Sequence, residues 1–291
     1  SQPAMTNIVS RLDISRIKAL LESTETKPRQ AFDEFLTGLR QNINPDVTED
    51  DAIEMLSQHL ITKPVFDALF EKYEFTKYNP VSQSMQKMLD VLEGESLDKD
   101  TAKLEKFYGS VRERAAGVDN AEGKQKIITE LYDKFFRGAF PRLTDRLGIV
   151  YTPVEVVDFI IKSADQALQQ EFGVGLTDEG VNILDPFTGT GTFMVRLLQS
   201  GLIKPEDLER KFKCELHANE IVLLAYYIAA INIEETYHDL HGGEYQPFEG
   251  IVLTDTYQMF ENKGTLLHEM FTENNERVVK QTEQEIRVII G

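Results

Sequence analysis

Apolar residues follow a helical rhythm through the first 140 positions, and after residue 180 they alternate between strand and helix rhythms. Ile53, Leu56, Leu60 and Ile61 follow Thr48-Glu49-Asp50-Asp51, a capping residue with acids in the first helical turn. Leu104, Tyr108 and Val111 keep helical spacing. Ile127, Ile128, Leu131, Tyr132, Phe135 and Phe136 make one continuous apolar face. Breaks fall near Asn44-Pro45, Asn79-Pro80, Gly94 and Gly117, so residues 1–140 are expected to form a helical domain. Thr152-Pro153-Val154-Glu155 reads as a helix start, with Thr152 as cap, Pro153 in the first turn and Glu155 closing a capping box. The helix after it is expected to bury Val156, Val157, Ile160, Ile161, Ala164 and Leu168.

Beyond residue 180 the predicted order is strand Val181–Leu184, helix Gly191–Gln199, strand Cys214–Asn219, helix Ile221–Ile233, strand Gly250–Thr254, a helix within Glu273–Gln284 and strand Ile286–Ile290. Tyr237–Phe248 is expected to be a surface loop. This alternation predicts an α/β unit, 141–291, with a parallel sheet and right-handed crossovers. Asp185, Glu220 and Asp255 then lie at the carboxyl ends of three strands, where such sheets bind ligands.

Composition narrows the class. No apolar run approaches the roughly 18 residues of a membrane span, and no basic-then-apolar leader opens the chain, so a cytoplasmic protein is expected. The single cysteine, Cys214, excludes an internal disulfide among these residues, and its place in a predicted strand makes it a buried thiol. Net charge is −18; residues 1–140 carry 19 basic and 24 acidic side chains, the remainder 12 and 25. Phosphate binding needs a basic stripe, and neither half has one, so any DNA is expected to be held elsewhere. His238, Asp239, His241 and Glu244 cluster in sequence, but His-x-x-His in a loop without cysteines is weak metal spacing, and no metal is expected.

Candidate chemistry concentrates in Asp185-Pro186-Phe187-Thr188-Gly189-Thr190-Gly191-Thr192-Phe193, a strand end, an acid, a glycine turn and a helix start. Gly189 and Gly191 permit a sharp turn and close approach to a ligand, and the helix start offers free N–H groups. No lysine follows the glycines, which excludes a P-loop. A dinucleotide turn has a third glycine and an acid about 20 residues on; here position 194 is Met194, and Glu220 comes 29 residues after Gly191. A carboxylate at Asp185 repels a pyrophosphate and suits a cationic cofactor.

Asp-Pro-Phe-x-Gly-x-Gly-x-Phe resembles the S-adenosylmethionine motif of N6-adenine DNA methyltransferases, closest to type I and single-chain type ISP restriction–modification enzymes. Gly148-Ile149-Val150-Tyr151-Thr152-Pro153, Asn219-Glu220 and Leu253-Thr254-Asp255-Thr256 resemble further segments of that pattern, in order. Residues 140–291 carry the resemblance strongly, and residues 60–140 resemble the helical coupler ahead of the methyltransferase. The family link implies a partial Rossmann-like methyltransferase sheet, S-adenosylmethionine as cofactor, and translocase, nuclease and target-recognition modules elsewhere in the polypeptide. It also implies roles. Asp185 would face the methionine ammonium, Glu220 both ribose hydroxyls and Asp255 the adenine amino group. Tyr151, Thr152 and Pro153 would flank the methionine moiety, with Gly189, Thr190, Gly191 and Thr192 forming the turn. Phe187 and Phe193 would pack against the cofactor or in the core, Phe193 mostly in the core. In the family a fourth strand leads into the catalytic Asn-Pro-Pro-Tyr; Arg287-Val288-Ile289-Ile290-Gly291 reaches the point just before it, and Lys77-Tyr78-Asn79-Pro80 is only a partial match, expected to be a loop between helices. No catalytic residue is therefore expected within these 291 residues. A nicotinamide-dependent oxidoreductase half and a non-enzymatic coupler or scaffold stay open as other readings.

Overall fold

The computed structural model describes residues 13–22, 26–69, 75–93, 109, 113, 152–259 and 271–291. Tyr151 and the predicted helical faces at Leu104–Val111 and Ile127–Phe136 lie outside them, as do Gly94, Gly117 and residues 148–150. Two units separate, residues 1–149 with 266–272, and residues 150–265 with 273–291.

In the first unit the described residues are mainly helical: α1 (13–21), α2 (Thr26–Asn42), α3 (Glu49–Leu69), α4 (Phe75–Tyr78) and α5 (Pro80–Glu93). The cap at α3 forms with Asp51 in the reciprocal role: Thr48 Oγ1 accepts from Asp51 N at 3.1 Å, and Asp51 Oδ2 accepts from Thr48 N at 2.9 Å. Ile53, Leu56 and Ile61 are buried as expected, with Leu60 half-buried. Phe32, Phe35, Leu39, Met85 and Met88 complete this core from α2 and α5. Asn79 joins α4 to α5 and caps the latter, its Oδ1 accepting from Ser82 N at 3.0 Å. It is a connection between helices.

In the second unit α6 (Val154–Phe172) precedes β1 (Asn182–Asp185), α7 (Thr192–Gln199), β2 (Leu216–Glu220), α8 (Leu223–His241), β3 (Ile251–Leu253), α9 (Thr272–Thr282) and β4 (Ile286–Ile289). All pairings are parallel, in the order β3-β2-β1-β4. The register sets Asp185 beside Ala218, so Glu220 projects two residues beyond β1. At the β3 edge the Asn274 side chain takes the place of another strand, accepting from Leu253 N at 3.0 Å and donating to Leu253 O at 3.1 Å.

Four local expectations need correction. Helix α6 starts at Val154 with Pro153 as its cap residue and no side-chain cap. Thr152 lies one residue too far out to close a capping box. The stripe α6 buries is Val157, Ile161, Asp165 and Leu168; Val156 is exposed, and Asp165 is held inside by accepting from Leu176 N at 2.8 Å. Cys214 is exposed, because Lys211–Glu215 form a π-turn ahead of β2. The turn is pinned by Lys211, whose fully buried ammonium donates to Asp178 O at 2.7 Å and Val181 O at 2.8 Å and pairs with Glu215 at 2.8 Å. Finally, α8 runs on to His241, where the sequence pattern predicts a loop from Tyr237. Tyr237 stacks on Phe212 at 3.8 Å, and Glu234 accepts from Tyr245 Oη at 2.9 Å and Phe248 N at 2.8 Å, which folds the following loop against the helix.

Replacing Lys211 by Met removes the ammonium donor from the Asp178 and Val181 carbonyls, while Glu215 keeps its pair with Arg210 and its bond from Gly180 N. Lys211→Met is expected to lower stability by about 1–3 kcal/mol, read as an earlier urea midpoint of the whole chain. An unchanged midpoint would show that the π-turn is held by something else.

Candidate functional site

Three elements converge on the glycine turn. From β1, Asp185 Oδ1 accepts from Phe187 N at 3.1 Å, and the Asp185 carbonyl accepts from Thr188 Oγ1 at 3.1 Å. From β2, Asn219 O accepts from Thr188 N at 3.0 Å, and Glu220 Oε2 accepts from Gly189 N at 2.8 Å. From α8, Asn232 Nδ2 donates to Thr190 O at 3.0 Å. The loop after β3 adds a fourth tie, Thr256 Oγ1 to Pro186 O at 2.7 Å.

Both glycines are required by the backbone. Gly189 and Gly191 have φ of 57° and 87°, and a Cβ on Gly191 would stand 3.2 Å from Ala229 Cα of α8. Close packing of helix on turn therefore sets residue 191. Helix α7 starts there with no side-chain cap, leaving the first N–H groups to solvent or ligand.

Glu220 is engaged more fully than expected. Its Oε1 accepts from Ile221 N at 2.9 Å and Val222 N at 2.7 Å, besides the bond from Gly189 to Oε2. These bonds explain why α8 begins at Leu223. Burial nonetheless raises the Glu220 carboxyl to about 7 against the pull of its three N–H donors. Asp185 is 0% exposed, and its Oδ2 has no hydrogen-bond partner among the described residues. Burial, with a smaller push from the charge of Glu220, raises Asp185 to about 7 against the Phe187 N–H bond. Two enclosed carboxyls with one orphan oxygen favour a ligand that brings positive charge and N–H or O–H donors. A pyrophosphate brings neither.

The turn thus brings Asp185, Phe187, Gly189, Thr190, Gly191, Thr192 and Glu220 together. Phe193 belongs to the core, facing inward from α7. Phe187 is 57% exposed and lies 5.6 Å, ring to ring, from Tyr257, itself 79% exposed. Asp255 lies two residues past β3, where its Oδ1 accepts from Tyr257 N at 3.0 Å and its carbonyl from Gln258 N and Met259 N. Thr152 and Pro153 are exposed at the entrance to α6, a helix joined to α7 by a two-bond Asp158–Arg196 pair at 2.7 Å. Asn219 and Thr256 enter the sequence reading only as parts of matching segments, with no role of their own, and Asn232 is not singled out there at all. Asn232 carried one signal, an amide within an otherwise apolar helix run. His238 serves structure, with Nε2 3.0 Å from Gln246 N, and no group of three metal-binding side chains occurs among the described residues.

A parallel sheet with an acid–glycine turn at the end of its first strand and a second acid at the end of the next forms the edge at which open α/β folds bind ligands. The chain belongs to the N-6 DNA methylase family, whose model matches residues 123–279; residues 4–123 match the coupler domain of type ISP restriction-modification enzymes. Solved structures agree. A nuclease-deletion mutant of the type ISP enzyme LlaGI, in complex with a DNA substrate mimic, is 48% identical over 99% of this chain and 24% of its own, with a TM-score of 0.91. The ATP-dependent type ISP enzyme LlaBIII bound to DNA is 50% identical over 98% and 19%, at 0.90. The DrdV–DNA complex is 35% identical over 99% and 27%, at 0.87. The chain thus spans about a quarter or less of the first two relatives. No curated protein matches it.

The raised carboxyls carry a pH signature. The folded state holds the Asp185 and Glu220 protons up to about pH 7, whereas an unfolded chain releases them near pH 4. Their contribution to stability is therefore greatest below pH 4 and is lost as pH rises through 7. Asp185→Asn is expected to raise the melting midpoint at about pH 8 and flatten its fall between about pH 4 and 8. A lower midpoint for the variant at pH 8 would contradict an unpaired buried carboxylate.

Proposed function

We propose that this chain is the coupler and cofactor-binding part of an S-adenosylmethionine-dependent adenine-N6 DNA methyltransferase of the type ISP restriction–modification class. In this reading residues 1–140 are the coupler-like domain, 141–291 the cofactor-binding half, and the intact enzyme is cytoplasmic. The orphan Asp185 Oδ2 carries the reading, since a buried acceptor facing no donor fits a cationic, donor-bearing cofactor. Bound there, S-adenosylmethionine supplies a methyl group made electrophilic by its sulfonium.

The residues divide the work by chemistry. Asp185 takes the methionine ammonium, directly or through water. The turn at Gly189, Thr190, Gly191 and Thr192 would lie along the cofactor. Glu220 accepts from the ribose hydroxyls; a carboxylate oxygen has lone pairs for a further donor beside its backbone N–H partners. Asp255 accepts from the adenine amino group, Phe187 flanks the turn, and Tyr151, Thr152 and Pro153 flank the methionine moiety. The target adenine, flipped from the duplex, would be held by groups beyond those present here. The acidic surface leaves DNA to other modules of the polypeptide, as do translocation and cleavage.

Calorimetry with S-adenosylmethionine or S-adenosylhomocysteine tests the cofactor site. Weak, saturable binding is expected, and Glu220→Ala should cost roughly 1.5–3 kcal/mol, the range for hydrogen bonds to a charged group. Wild-type affinity in Glu220→Ala would remove that residue from the site, while a thermal shift with NAD instead would restore the oxidoreductase reading.

The 291 residues contain no Asn-Pro-Pro-Tyr run. The adenine amino nitrogen is a poor nucleophile, because its lone pair is delocalised into the ring, and it must be held in near-attack geometry by acceptors. These residues alone are expected to transfer no label from tritiated S-adenosylmethionine to adenine-containing duplex, whereas a polypeptide extended through the catalytic loop does. Label incorporated by the 291-residue chain would redirect attention to Asn79-Pro80.

A further inference from the structure

We infer that Asn232 is a positioning residue for the cofactor turn, holding the Thr190–Gly191 peptide in the orientation that lets the start of α7 meet its ligand. The inference rests on the cofactor reading above.

Asn232 lies in the apolar interior of α8, flanked in sequence by Ala229, Ala230, Ile231 and Ile233, all buried. Its side chain is also buried, and its amide nitrogen donates to Thr190 O at 3.0 Å. A carbonyl can only accept, so the amide orientation is fixed: Nδ2 faces the turn, and Oδ1 is left as a buried acceptor with no partner among the described residues. An amide placed in an apolar helix for packing would satisfy both ends or give way to leucine. This one meets a single demand, and the demand comes from the turn.

Fixing that carbonyl fixes a whole peptide plane. The N–H of the same peptide, on Gly191, donates to Thr188 O at 2.9 Å. The peptide is thus held at both ends, by α8 on one side and by the turn on the other. Gly191 sits at a φ of 87° with the Ala229 backbone beneath it, so the chain cannot shift toward α8. Thr192 begins α7 immediately afterwards. A rotation of the Thr190–Gly191 plane would change the direction of the first N–H groups of α7, which the ligand needs. Glu220 controls the same turn from the other side through Gly189 N.

The test compares wild type with Asn232→Leu, similar in volume without a donor, and Asn232→Asp, similar in shape but presenting acceptor to acceptor. Each is titrated with S-adenosylhomocysteine in a calorimeter, its melting midpoint is measured, and its Gly189 and Gly191 amide resonances are followed by NMR. Both variants are expected to bind tenfold or more weakly and to shift the Gly191 resonance, with Asn232→Leu melting no earlier than wild type. Variants that bind within twofold of wild type overturn the positioning role while leaving the cofactor reading intact. So does weakened binding that merely follows unfolding at the titration temperature. A wild-type chain that binds nothing overturns the cofactor reading, and this proposal with it.

Discussion

The Glu220 carboxylate is the junction on which the second unit turns. It closes the gap between β1 and β2 through Gly189 N and receives two N–H groups at the entry to α8. One side chain thereby sets the height of the glycine turn, the end of β2 and the first residue of the central helix. Parallel register makes this possible, because it carries Glu220 two residues past Asp185. A carboxylate pointing into solvent would do none of this; Glu220 reaches three backbone donors because its side chain folds back over the turn and the helix entry.

That enclosure has an energetic consequence. Asp185 and Glu220 are buried near each other, and each is pushed to about 7. Glu220 is compensated by backbone, while Asp185 has one bonded oxygen and one with no partner among the described residues. A protein selected only for stability would place an amide or a hydroxyl there. Local cost tolerated by the rest of a fold is the common pattern where function is selected beside stability.

Much of this was legible in the sequence for a physical reason. Alternating strand and helix periods impose a parallel sheet, and the sheet dictates that Asp185 and Glu220 meet at one edge. The glycine turn announced itself because φ above zero and a 3.2 Å approach to α8 both exclude a side chain. What escaped was long-range. No local pattern reveals that Lys211 reaches three oxygens and thereby turns Cys214 outward. The extension of α8 past Tyr237 was equally hidden, since it depends on Glu234 capturing Tyr245 and Phe248 from the following loop. Thr152 misled for the opposite reason: its local capping signal is sound, but Pro153 takes the cap position.

Helix α8 acts as a ruler between two contacts made to the same turn. Glu220 grips Gly189 just before the helix starts, and Asn232, twelve positions later, grips Thr190 from its interior. An α-helix advances about 1.5 Å and turns about 100° for each residue. A single insertion or deletion between positions 220 and 232 would therefore swing Asn232 away from the turn even if every side chain were kept. In this stretch the spacing constrains the site as firmly as the two gripping side chains do: residues can be neither added nor lost without releasing one of the two contacts.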